Sequence, residues 1–366
     1  MEPLPPSPLP PHGGGGWGEG TILMNKRQRV LAALAGEPVD RPPVSAWRHF
    51  VDREQNAADL ADAMLEFHRT YDWDWLKVNP RATYFAEAWG NTYDFSQYVS
   101  VVPRASRVRL ESVCDLAMIE PVDPAGGAFG EQLDALDRIR RGLDGDAPII
   151  QTVFSPLSVI GWLAGGPAGF EIPGLPASLP LLRRAIEEAP DALEAALDAV
   201  TTTLTEYARI TRAAGADGIF FAIVRLARHG YLSREEYARF GRPYDLRVLG
   251  AVADAPFNVL HVCGDQVYFD AIAEYPVHAI SWNSQAPGNP SFGDAMAVTS
   301  SALMGGVDEG ATLPSGTPAD VTRAASAALS ETGGQRTLLA PGCSIDHRAS
   351  PDNLVALRDA ARDWKP

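Results

Sequence analysis

Three side chains combine metal-binding chemistry with a spacing that brings two of them to one place. His261 and Cys263 stand two residues apart in "NVLHVCGD", and Cys343 follows an apolar run in "LLAPGCSID". On an extended segment residues i and i+2 face the same side, so this imidazole and thiol can reach one ion. An imidazole with two thiolates is a soft donor set suited to Zn²⁺, and three protein ligands leave a fourth position for water or substrate. Two other readings of the same residues stay open at this point. The cysteines could form a disulfide, or they could be small buried thiols beside a hydrogen-bonded core histidine. The third cysteine, Cys114, reads as buried packing.

The elements that must position these residues follow from the periodicity of the chain. Eight short β-rich runs are expected at 43–47, 73–78, 148–153, 218–223, 258–261, 278–282, 302–307 and 337–340. Amphipathic helical patterns follow most of them. Strand–helix alternation of this kind implies parallel pairing and a single α/β domain, a (β/α)8 TIM-type barrel over residues 22–366. A doubly wound open sheet is the runner-up, and no G-x-G-x-x-G turn follows any strand to support it. Residues 1–21 are rich in Pro and Gly and are expected to be a disordered tail. Val30, Leu31 and Leu34 form a helical stripe that Gly36 and Pro38 stop, and a helix over 318–332 runs from a Thr-Pro cap to Gly-Gly. The segment 83–147, between the second and third strands, is too long for one helix and reads as an insertion over the barrel mouth. A Pro/Gly-rich stretch at 165–180 reads as a lid loop.

In such barrels chemistry gathers where strands end at the C-terminal face. The polar residues expected there are Trp47 and His49 after strand one, then Lys77, Asn79, Arg81 and Tyr84 after strand two. Arg225 follows strand four, His261 and Cys263 end strand five, and Trp282 and Asn283 end strand six. Asp308 and Glu309 follow strand seven, and Cys343, Asp346 and His347 follow strand eight. Lys77, His49 and Arg81 with Arg225 could hold anionic groups and donate protons, beside aromatic walls at Trp47, Tyr84 and Trp282. Asp308 reads either as a proton donor or as a loop aspartate capping the next turn. Asp346 and His347 read as partners that orient a ligand, or as a solvated loop. His68 and His229 read as surface residues.

The 366-residue chain has a net charge of −15, with 46% hydrophobic and 21% charged residues. A duplex-binding face needs a surplus of Lys and Arg, so nucleic acid is not an expected partner, nor is an anionic membrane. No run approaches the roughly 20 apolar residues of a membrane span. The N-terminal stretch lacks a positive region followed by an apolar core, so no secretory signal is expected. A cytoplasmic protein with reduced thiols is the expectation.

At this point the residues resemble a known family. "NKRQRVLAALAGEPVDRPPVSAW", "YDWDWLKVNPRATYFAEAWG", "VLHVCGD", "GGVDEGATLPSGTPADV" and "LLAPGCSIDHRASPDNLVAL" look like the uroporphyrinogen decarboxylase superfamily, from about residue 24 to 363. The resemblance implies a (β/α)8 barrel. True uroporphyrinogen decarboxylases carry a stretch like "RPVWxMRQAGR" and an aspartate in "FSDI". Here the corresponding stretches read "RPPVSAWRHF" and "YDWDWLKVNP", so both signatures are missing. The other branch comprises zinc methyltransferases that move a methyl group between a corrinoid protein and a thiol, with ligands in a His-x-Cys … Cys pattern. His261, Cys263 and Cys343 match it in type and order. The resemblance implies that Zn²⁺ lowers the pKa of a bound thiol and presents a nucleophile. It further implies a small-molecule substrate, a corrinoid protein as partner, and a homodimer. One departure stands out: "GIFFAIVRLA" lacks the acidic residue that those enzymes have near the end of strand four, leaving Asp308 or Glu309 as substitutes.

Three functions compete. The first is a zinc-dependent methyltransferase or demethylase component. The second is a metal-free decarboxylase-like lyase acting on a carboxylated small molecule, with desolvation favouring CO₂ loss. The third is a non-catalytic sensor or corrinoid-binding module.

Overall fold

The computed structural model describes residues 23–166 and 178–365. The expected tail at 1–21 and most of the expected lid loop at 165–180 lie outside the described residues. A seven-stranded, all-parallel sheet forms the centre. In chain order the strands are β1 (Leu76–Val78), then the hairpin β2 (Thr92–Val99) and β3 (Val102–Arg107), then β4 (Ile149–Phe154), β5 (Gly218–Ile223), β6 (Val259–Val262), β7 (Ala279–Ser281), β8 (Ala302–Val307) and β9 (Thr337–Pro341). The sheet order is β1-β4-β5-β6-β7-β8-β9, with β2 and β3 paired apart from it. Nearly every residue of the central strands is buried, the pattern of a parallel sheet covered on both faces.

Seven of the eight expected strands form. The first, at 43–47, is represented by single parallel bridges, Val44 to Leu339 and Arg48 to Ile345. Pro42 and Pro43 at its start have no N–H to give a ladder. The segment still bonds on both sides. Ser45 N–H donates to the Leu339 carbonyl at 3.1 Å, Asp74 N–H donates to the Val44 carbonyl at 2.9 Å, and Ser45 Oγ donates to the Trp75 carbonyl at 2.7 Å.

Inside the curl of the sheet lies one cluster containing Trp47, Trp75, Ile150, Phe220, Ala222, Val259, Ala279, Met304, Leu338 and Ala340. Val30 and Ala33 of the helix Lys26–Ala35 join it, so that helix covers one end of the interior. The helix starts in an Asn25 capping box and stops at Gly36 in the left-handed region (φ 73°), as its stripe predicts. The helix Pro318–Thr332 likewise runs from a Thr317 capping box to Gly333. Between β1 and β4 the chain forms a helix (Tyr84–Ala88), the β2–β3 hairpin, a short 3₁₀ turn (Val113–Met118) and a long helix (Gly127–Leu143). Cys114 on the 3₁₀ turn is exposed, contrary to the packing role expected of it. His68 is also corrected: it is buried in its helix, and Nε2 lies 3.3 Å from Asp146.

Candidate metal and substrate site

Register decides which residues of the rim converge. Ala222 pairs with His261, His261 with Ser281, and Ser281 with Met304, so these side chains form one layer facing the interior. Cys263 lies just past β6, where its N–H still donates to the Ile223 carbonyl at 3.2 Å. Cys343 lies just past β9. Donor atoms of His261, Cys263 and Cys343 all fall within 4.8 Å of one another.

The detailed geometry separates the readings left open by the sequence. The two sulfurs are 3.9 Å apart, far beyond the roughly 2.05 Å of a disulfide. Two thiolates on a tetrahedral zinc, each about 2.3 Å from the ion, stand about 3.8 Å apart. His261 Nδ1 lies 3.1 Å from Ser281 Oγ, while Nε2 is buried and finds no conventional hydrogen-bond partner among the described residues. A core histidine with a free buried nitrogen is costly unless something binds it. The imidazole also stacks on Phe220, with centroids 5.1 Å apart and planes at 27°. The donor set therefore fits a soft divalent ion. The hydrogen bond with the Cys343 thiol draws Cys263 below the ordinary cysteine range, against burial and the Glu309 charge, with help from Arg225 and Arg228. Cys343 is driven well up by the same bond, by burial and by the Cys263 charge, with His261 pulling the other way.

These three residues sit in a cavity of about 360 Å³. Trp47, Phe154, Trp162 and Phe220 give it aromatic walls, and Val99 to Val102 at the β2–β3 turn reach over it. Lys77, Asn79, Arg81 and His49 line it as expected. Lys77 is buried on β1, donates to Asn79 Oδ1, and lies 4.6 Å from the Phe220 ring centre. Burial pulls its ammonium down to about 7, with the Cys343 charge opposing. Arg81 is already committed, because its guanidinium pairs with both Glu87 and Glu131. His49 Nδ1 lies 3.2 Å from the buried Glu54 carboxylate. Asp346 lines the cavity but pairs with Arg348.

Other expected site residues stand elsewhere. Trp282 follows Ser281 on the strand and so faces the opposite side, packed on Phe269 and Phe292 with Nε1 donating to the Pro290 carbonyl at 3.0 Å. Tyr84 opens a helix beneath the rim. Its hydroxyl donates to the Thr152 carbonyl at 2.7 Å, and its ring packs on Phe85 and Phe129. Asn283 donates to Asp308 at 2.9 Å. Asp308 also accepts from the backbone N–H groups of Gly310 at 2.9 Å and Ala311 at 2.5 Å. Burial would raise this carboxyl, yet those bonds outweigh it and hold it below the usual carboxylate range. Through these bonds it caps the turn that follows β8. Arg225 adopts a left-handed φ of 62° and faces the Tyr231 ring at 5.8 Å, outside the residues that line the cavity.

One contributor is not singled out by sequence reasoning. Ser281 is recognisable only from register with His261. Glu309, not Asp308, lines the cavity. Gly305 and Gly306 take positive φ values of 148° and 105° immediately before the strand ends, which breaks the alternation that would assign faces from sequence.

The sequence matches the profile of the family described as Uroporphyrinogen decarboxylase (URO-D) over residues 25–364. The chain belongs to that family. Within it, the chain is 23% identical over 363 residues to the "Methylcobamide:CoM methyltransferase MtbA" of Methanosarcina acetivorans, covering 93% of this chain and 98% of the relative. The protein of the same name from Methanosarcina mazei is 24% identical over 357 residues, with 93% and 98% covered. A solved structure titled "methyltransferase from Methanosarcina mazei" shares this family member's fold with a TM-score of 0.74 at 23% identity, over 93% of this chain and 98% of that one.

Proposed function

We propose that this URO-D family protein is a zinc-dependent methyltransferase that moves a methyl group between a corrinoid, carried by a partner protein, and a thiol. The observation that carries the reading is the convergence of His261, Cys263 and Cys343 within 4.8 Å on the wall of one cavity. The names of the full-length relatives support the reaction class. We further take segment 43–47 as the eighth strand position, since it bonds to both β9 and the approach to β1, which would complete a (β/α)8 barrel.

His261 through Nε2, Cys263 and Cys343 would hold the ion. When bound, zinc supplies Lewis acidity that favours the thiolate form of a thiol substrate. The protein's own residues do the rest. Ser281 fixes the imidazole ring through Nδ1. The aromatic walls and the β2–β3 turn exclude water and accept an organic body. Lys77, Asn79 and His49 add polar contacts on the cavity lining. The Arg81 guanidinium, paired with two carboxylates, shapes the rim more than it binds a substrate anion. That pairing also weighs against the decarboxylase-like alternative, which needs free cations to hold substrate carboxylates.

Elemental analysis of purified protein tests the reading, followed by loss of methylcobalamin absorbance in the presence of thiols. About one zinc per chain in the wild type, lost in Cys263→Ser and Cys343→Ser, and thiol-dependent demethylation of methylcobalamin are expected. Folded Cys263→Ser that retains a full zinc complement refutes the ligand assignment. A zinc-loaded protein that demethylates methylcobalamin with no thiol refutes the reaction.

A further inference from the structure

Glu309 is placed unlike any other carboxylate of the cavity. Asp346, the other carboxylate that lines the cavity, is paired with Arg348. Glu309 Oε2 is instead buried without a hydrogen-bond partner among the described residues. A methyl group built on Gly342 would come within 2.7 Å of Oε2, so the carboxyl lies against the backbone that leads directly into Cys343. The same methyl group would meet the Asn283 Cα at 2.5 Å, so glycine is required there for the carboxyl and Asn283 to share the space. Glu309 lines the cavity with His261, Cys263 and Cys343, and its charge is felt at Cys263. A carboxylate oxygen kept from both water and donors is destabilised as an anion and gains by taking a proton.

We propose that Glu309 accepts the proton of the thiol substrate: as the thiol enters the cavity beside His261, Cys263 and Cys343, its S–H bond breaks, the proton passes to Oε2, and the electron pair stays on sulfur. The inference rests on the thiol-methyl-transfer reading above. Charge balance favours it. A divalent ion with two cysteine thiolates is formally neutral, so a substrate thiolate adds one negative charge to a poorly solvated site. A carboxylate that becomes neutral in the same event leaves the total unchanged. In the metal-free protein burial holds the Glu309 carboxyl up at about 7; its own backbone N–H and Asn283 pull it down by hydrogen bonding, and the Asp308 charge pushes it up. The unpartnered Oε2 on the cavity wall is thus an open acceptor for the proton. Asp308, by contrast, already accepts from Asn283 and from backbone N–H groups and does not line the cavity. Lys77, which also lines the cavity, is the rival acceptor.

Calorimetric titration of zinc-loaded protein with 2-mercaptoethanol at neutral pH, in buffers of different ionisation enthalpy, counts the protons released to solvent. Wild type is expected to release clearly less than one proton per thiol bound, and Glu309→Gln about one, with zinc content unchanged. Glu309→Ala, which removes the carboxyl altogether, should behave as Glu309→Gln does. Equal release from wild type and both variants overturns the role of Glu309. Retention in both variants with release in Lys77→Met moves the proton to Lys77 and overturns it likewise. Absence of thiol binding to zinc-loaded wild type overturns the thiol reading itself and this inference with it.

Discussion

The hydroxyl of Ser281 offers a sharp test of how the metal site is built. For Nε2 of His261 to hold a metal through its lone pair, the ring proton must sit on Nδ1, where it donates to Ser281 Oγ at 3.1 Å. Ser281 is wholly buried, so no water replaces a lost hydroxyl. Ser281→Ala therefore leaves a buried N–H without an acceptor whenever the metal is bound, at about 1–3 kcal/mol. In the metal-free protein the ring can turn or change tautomer and recover part of that loss, so the penalty appears in metal affinity more than in fold stability. Removing such an orienting partner weakens metal binding about 10–100-fold, which is about 1.4–2.7 kcal/mol. Competition with a chromophoric zinc chelator measures the dissociation constant directly. Ser281→Thr, which keeps the hydroxyl, should recover much of the affinity. A folded Ser281→Ala protein with wild-type zinc affinity would refute the claim that His261 binds through Nε2 under Ser281 control.

Two further outcomes follow from the cavity walls. Lys77 carries a folded-state value near 7 against its ordinary 10.5. The unfolded chain keeps this proton up to the higher value while the native chain has lost it, so Lys77 makes stability rise with pH across that window. Below about 7 both states are protonated and the burial penalty is full. Lys77→Met should thus stabilise metal-free protein at neutral pH and below, on the order of 4 kcal/mol, with the gain vanishing toward the upper value; urea unfolding at several pH values checks the slope. An unchanged slope refutes the assignment. Phe220 is 2% exposed, meets Trp47 edge-on at 5.4 Å and stacks on His261. Phe220→Ala should cost about 3–5 kcal/mol in denaturant unfolding, and it should lower zinc affinity as well because the imidazole loses its support. Affinity unchanged in a destabilised variant would separate the ring from the site.

Much of the site is legible in the amino-acid sequence. The two-residue spacing of His261 and Cys263 needs only an extended backbone to bring both side chains to one face, a local property. Capping at Asn25 and Thr317, with Gly36 and Gly333 as stops, is local in the same way, and both helices end where those residues place them. The misplacements arise where local rules run out. Trp282 and Asn283 both read as rim residues, but one-residue steps along a strand alternate faces, and only register with β6 shows that Ser281 is the inward residue. Asp308 and Glu309 are chemically near-identical in sequence, and the two distorted glycines before them scramble the alternation. Arg81 reads as a free anion-binding cation until Glu87 and Glu131, six and fifty residues away, are seen to neutralise it.

The strand–helix alternation, the donor types of the metal site, and the absence of the residues that mark true uroporphyrinogen decarboxylases are all written in the chain. Hydrophobic period, capping and ligand chemistry are properties of short segments, so they can be read along it. Folding was needed to bring Cys343 within 3.9 Å of Cys263 across eighty residues of chain, to leave Nε2 of His261 as the open nitrogen, and to turn Glu309 rather than Asp308 toward the ligands. Those facts depend on sheet register and on which buried polar atoms already have partners. Both are settled only when the β6 and β9 ends are packed against one cavity.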